Sequence, residues 1–146
     1  MTVDTAIVVE VEGRPAPKGS RISAKTKAGK AYTYPASTYE KPWIGAVAEA
    51  TRQVMRHQAD LEMPYSVDLL FRLHKGKYAG RAHPWPTVHD LDKLARAVID
   101  GLVRGGAMID DRHVIALTAR KVWAQTDEEQ GCRCEIRSEQ DIRLVM

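Results

Sequence analysis

Hydrophobic and polar positions change their period several times along this chain, and each change marks an element. Residues 5–12, from Thr5 to Glu12, are rich in Val and Ile and predict a first strand, ended by Gly13-Arg14-Pro15-Ala16-Pro17-Lys18-Gly19. A helix is expected to start near Ser37 or Thr38, with Pro42 in its first turn. Ile44, Val47, Ala48, Thr51, Val54 and Met55 follow at helical spacing, and the helix should end before Pro64. From Tyr65 to Leu73 the pattern alternates, with Val67, Leu69, Phe71 and Leu73 on one face of a half-buried strand. Leu91, Leu94, Ala95, Val98 and Leu102 then make an apolar stripe that predicts a second helix to Arg104, stopped by Gly105-Gly106. Val114 to Trp123 and Cys132 to Ser138 read as the last two strands. The order β-α-β-α-β-β implies an α+β fold, one domain over 1–146 with two main helices packed on a mixed sheet.

Composition narrows the class. With 44% apolar and 28% charged residues, the 146-residue chain reads as an ordinary globular protein. No apolar run is long enough to cross a bilayer. Met1-Thr2-Val3-Asp4 carries no basic lead-in to an apolar core, so a secretory signal is not expected and the cytoplasm is the expected compartment. Cys132 and Cys134 stand two apart on one strand face, where a disulfide would be strained, so both are expected as reduced thiols.

The net charge is only +3, but its distribution is uneven. Arg14, Lys18, Arg21, Lys25, Lys27 and Lys30 form one stretch without an acid, and Arg72, Lys75, Lys77 and Arg81 form a second. Two basic loops suit a phosphate backbone, and equally suit a solvated surface.

The candidate chemistry lies in His89-Asp90-Leu91-Asp92-Lys93-Leu94 and in Ile109-Asp110-Asp111. The helix between the two acidic clusters rises roughly 17 Å, and the return from Gly105 can span up to about 23 Å, so the clusters can meet. Gathered aspartates repel one another unless a cation sits among them, and an all-oxygen donor set suits Mg²⁺ or Mn²⁺. Such an ion activates water and stabilises the charge of phosphoryl transfer, with Lys93 and Arg96 close by to hold the strand. Simpler readings stay open: Asp90 as an N-cap, Asp92 as a helix-dipole partner, Asp110-Asp111 as a turn.

The run Asp90-Leu91-Asp92-x-Leu94, Asp100-Gly101-Leu102, Gly106 and Asp110-Asp111-x-x-Val114 resembles the RusA family of Holliday-junction resolvases. Lys121 stands where that family carries a lysine near the end of the next strand. Gly13 to Gly19 and Tyr32-Thr33-Tyr34-Pro35 are similar to phage-type members, which makes a phage or prophage origin an expectation. The resemblance implies a homodimeric endodeoxyribonuclease that cuts four-way DNA junctions with Mg²⁺ or Mn²⁺ in recombination and repair. It carries metal-site roles to Asp90, Asp92 and Asp111 and a secondary role to Asp110. Two departures stand out. Lys93 replaces the family's Asn, and Arg96 replaces a functional Lys, which keeps the charge but changes its geometry.

Lys18, Arg21, Lys93 and Lys121 are the candidate DNA contacts, and Arg96 joins the aspartates as a candidate catalytic residue. His89 and His113 adjoin the acids as possible ligands or proton shuttles, against the commoner reading as surface histidines. Trp85, between two prolines, suits stacking on a base or packing against protein. Trp43 and Trp123 read as core or interface residues. A protein that binds branched DNA without cutting it, and a nuclease for flaps or forks, are the competing readings.

Overall fold

The computed structural model describes residues 6–19, 21–35, 38–55, 63–76 and 83–139. Its elements are β1 (Ile7–Glu12), β2 (Arg21–Lys25), β3 (Ala31–Pro35), α1 (Glu40–Val54), β4 (Tyr65–Leu73), α2 (Leu91–Arg104), β5 (Val114–Trp123) and β6 (Gly131–Ser138). One sheet has the order β1-β6-β4-β5. β6 runs antiparallel to both β1 and β4, while β4 and β5 are parallel. A parallel pair needs a crossover, and α2 lies within that connection. The mixed sheet and two main helices of the expected α+β fold are therefore present.

The face of β4 bearing Tyr65, Val67, Leu69, Phe71 and Leu73 is buried, as its alternation requires. Val9, Val11, Cys134 and Ile136 join the same core, with Leu94, Val98 and Leu102 of α2 and Ile44 and Val47 of α1. The helices meet closely at Gly101, where an added Cβ would lie 2.6 Å from the Val47 Cβ. Thr51, the one polar residue in the described core, donates its hydroxyl to the Val47 carbonyl at 2.7 Å. Val54 departs from the expected stripe: it is the last residue of α1 and is exposed.

The order β-α-β-α-β-β needs correction, because the segment read as a basic loop contains a hairpin. β2 and β3 pair antiparallel, from Arg21 with Pro35 to Lys25 with Ala31. Thr26 and Lys30 close the turn, with Gly29 at φ 87°. Each strand has only five residues, and Lys25, Lys27 and Lys30 stand at the end of β2 and in the turn, which left too short a pattern to reveal it. α1 begins at Glu40 with Tyr39 at its N-cap position, later than expected, and Ser37 falls outside the described residues. Thr5, Lys77 and Arg81 do so too.

Cys132 and Cys134 are buried free thiols with their sulfurs 3.7 Å apart. Burial pushes the Cys132 thiol far above its ordinary range, which keeps it neutral and unreactive. Trp43 is buried, and the Trp123 indole donates to the His83 carbonyl at 2.8 Å. Among the described residues, no helix is long and apolar enough to cross a membrane.

Candidate functional site

Asp90 occupies the N-cap position of α2, but its carboxylate makes no capping hydrogen bond. Only its backbone carbonyl serves the helix, accepting from the Lys93 and Leu94 amides at 3.1 and 3.0 Å. The carboxylate points to solvent, with the Lys93 ammonium 3.6 Å away. An N-cap role therefore does not explain an aspartate here. His89, just before it, adopts φ 62°, a left-handed conformation that costs a non-glycine residue on the order of 1–3 kcal/mol. The Lys121 ammonium donates to the carbonyls of His89 at 2.7 Å and Val88 at 3.2 Å, bridging this bend to β5. Burial, then the Arg14 and Lys121 charges, pull the His89 imidazole below its usual pKa and favour its neutral form.

Asp92 and Arg96 lie exposed on the outer face of α2, one turn apart, and among the described residues Asp92 has no ion-pair partner. Asp100 continues that face a turn beyond Arg96. Its carboxylate receives the Lys18 ammonium at 2.9 Å and Arg104 at 3.1 Å. Lys18 is tied a second time through its backbone N–H to the Lys93 carbonyl at 3.0 Å. The segment before β2 is thus laid across α2. Gly19, at φ 93°, passes so near Arg96 that an added Cβ would stand 3.0 Å from its guanidinium.

The second acidic cluster follows a tight return from α2. Gly106 takes φ 93°, the Ala107 amide bonds to Leu102, and Ala107 and Met108 are buried. Asp110 accepts from the Arg112 amide at 3.1 Å, which holds its carboxyl low. Asp111 opens a 3₁₀ turn before β5. Its hydrogen bond with Asp110 pushes its pKa up, aided by partial desolvation and by the Asp110 and Asp100 charges, and opposed by Lys18. Two neighbouring carboxylates of like charge form an anionic centre that favours a nearby cation.

Asp111 lines a depression between α2 and β5 together with Lys18, Arg96, Asp100 and Ile115. Asp90 and Asp92 lie outside that lining, and neither figures among the charges that shift Asp111. Among the described residues, no three His, Cys, Asp or Glu side chains are gathered closely enough to hold a metal ion. One chain thus brings Arg96 and Lys18 to Asp111 and leaves the carboxylates at the start of α2 apart. Asp100 was missed as a site residue; its signal was its place four residues after Arg96 on the polar face.

Arg21 opens β2. His113 has a buried Nε2 without a hydrogen-bond partner among the described residues. Trp85 is 61% exposed and stacks on His83 with ring centroids 5.6 Å apart, so packing into the core is not its role within one chain.

No curated protein matches the chain. A family model described as endodeoxyribonuclease RusA matches residues 12–136, spanning both acidic clusters, Lys121, both helices, β4, β5 and most of β6. On that match, over most of its length, the chain belongs to the RusA family of endodeoxyribonucleases.

Proposed function

We propose that this protein is a divalent-metal-dependent, homodimeric endodeoxyribonuclease that resolves Holliday junctions by paired cuts, with Asp90, Asp92 and Asp111 as its metal carboxylates. The family supports junction cleavage. The donor chemistry of three aspartates, all oxygen, fits Mg²⁺ or Mn²⁺. The observation that carries the reading is that Asp90 and Asp92 are exposed carboxylates that cap nothing, Asp90 meeting only the Lys93 ammonium, while Asp111 shares its depression with Arg96.

Within one chain the three carboxylates do not form a closed set among the described residues. When bound, such an ion supplies an activated water and charge stabilisation. Arg96 and Lys18 hold the scissile phosphate, and Arg21 and Lys93 extend the contact along the strand. Asp110 keeps Asp111 turned into the depression.

The homodimer reading rests on β5. On its free side it meets no other strand among the described residues, and Ile115 and Leu117 are 55% and 48% exposed. An unpaired apolar edge invites another strand. Two-fold pairing along it is antiparallel. That arrangement sets the Asp110-Asp111 end of one copy against the Arg120-Lys121 end of the other, acid against base. Lys121 holds the bend that leads into Asp90, so pairing brings Asp111 of one chain toward Asp90 of its partner.

The test is a labelled four-way junction incubated with Mg²⁺ or Mn²⁺ beside flap and fork DNA. Symmetric nicks on the junction that vanish in EDTA are the expected result. Binding without nicks under any divalent ion would leave a branched-DNA-binding protein, and preferential cutting of flaps or forks would change the substrate.

A further inference from the structure

We infer that Lys121 is a positioning residue: through its two hydrogen bonds to the Val88 and His89 carbonyls it fixes the bend that presents Asp90. This rests on the proposed role of Asp90. Lys121 lies opposite the fully buried Phe71 in the β4–β5 register, on the core face of the sheet. A lysine there buries its stem and carries its ammonium to the rim. The rim at that point is the backbone of residues 88 and 89, and the ammonium donates to both carbonyls, at 3.2 and 2.7 Å.

The bend needs such a clamp. His89 sits at φ 62°, where a side chain is tolerated only if its surroundings hold it. Relaxing it would rotate the peptide that enters Asp90, whose carbonyl accepts the Lys93 and Leu94 amides. The same relaxation would swing the uncapped Asp90 carboxylate away from its outward direction. The 3₁₀ turn that Asp111 opens leads straight into β5, and the anchor for Asp90 stands near the end of that strand, so one strand links both acidic clusters. A phosphate contact is the other role for a lysine here, and the two bonds to backbone oxygen argue against it.

Lys121→Met keeps the apolar stem and removes the donors; Lys121→Arg restores donors. On a labelled four-way junction with Mn²⁺, Lys121→Met is expected to lower kcat by about a hundredfold, the scale of an ångström-level misplacement, while Kd stays within about twofold. Lys121→Arg should recover much of kcat. Amide hydrogen exchange at Lys93 and Leu94 should quicken in Lys121→Met at unchanged Tm. Weaker binding at unchanged kcat would make Lys121 a phosphate contact and overturn the inference, as would an unchanged kcat with unchanged exchange. If the wild type cuts no DNA, the proposed function fails on its own, and the exchange at Lys93 and Leu94 still decides whether Lys121 holds the bend.

Discussion

The Lys18 ammonium lies 2.9 Å from the Asp100 carboxylate, joining residues 82 positions apart and fastening the segment before β2 to the middle of the site. Both side chains keep contact with solvent, so screening limits what the pair contributes to stability. Asp100→Asn is therefore expected to cost about 1 kcal/mol or less in urea denaturation. Amide exchange over residues 14–19 should nevertheless speed up, because a tether is lost. A loss several times larger would show that the pair behaves as a buried one.

The approach of α1 to α2 depends on Gly101. Alanine is the better helix former by about 1 kcal/mol, so an exposed site would gain stability from Gly101→Ala. Here the new methyl would meet the Val47 side chain at 2.6 Å. The expected outcome is a net loss of about 1–3 kcal/mol by equilibrium unfolding. A neutral or stabilised variant would contradict the close packing.

Cys132 and Cys134 should not react with a thiol reagent in the native protein at pH 8. Both sulfurs are buried away from the reagent, and burial holds the Cys132 thiol in its neutral, unreactive form. Both should react once the chain is unfolded in urea. Fast labelling of the folded protein would place a sulfur at the surface.

Glu135 sits on the open face of β6 between Arg133 and Arg137. Its hydrogen bond from Arg137 and the nearby arginine charges hold its carboxyl below the usual glutamate range. A group whose folded pKa is depressed stabilises the fold above its unfolded pKa and loses that effect as pH falls through the folded value. The stability difference between wild type and Glu135→Gln should accordingly be full at neutral pH and fade below the ordinary glutamate range. A difference that grows toward acid would reverse the sign.

Divalent ions should raise Tm if the three aspartates bind one. At a hundred times its Kd, a ligand specific to the folded state adds about 2.7 kcal/mol. Mn²⁺ should produce such a shift in the wild type and little in Asp92→Asn. An equal shift in both would move the ion elsewhere.

Where the hydrophobic period was clear, the elements could be read directly. Tyr65–Leu73 and Leu91–Arg104 have the bounds their patterns indicate because each buries one face, and Val114–Trp123 has its expected bounds although its place at the sheet edge leaves Ile115 and Leu117 exposed. The β2–β3 hairpin was illegible, since its short strands pair with each other and not with the main sheet. Chain length showed that the acidic clusters can meet but not where the return leads. That path is set by the burial of Met108 and the bond from Ala107 to Leu102, which deliver Asp111 to the depression lined by Arg96 and Asp100. The role of Lys121 was hidden for a similar reason, because its partners are backbone atoms more than thirty residues earlier.

The most direct measurement mixes two inactive variants, Asp90→Asn and Asp111→Asn, refolded together and offered a labelled junction with Mn²⁺. If Asp90 of one chain works with Asp111 of its partner, mixed dimers hold one intact site, and nicking should return to about a quarter of the wild-type level. Activity no higher than that of either variant alone, with junction binding intact, would contradict a site completed by a second chain.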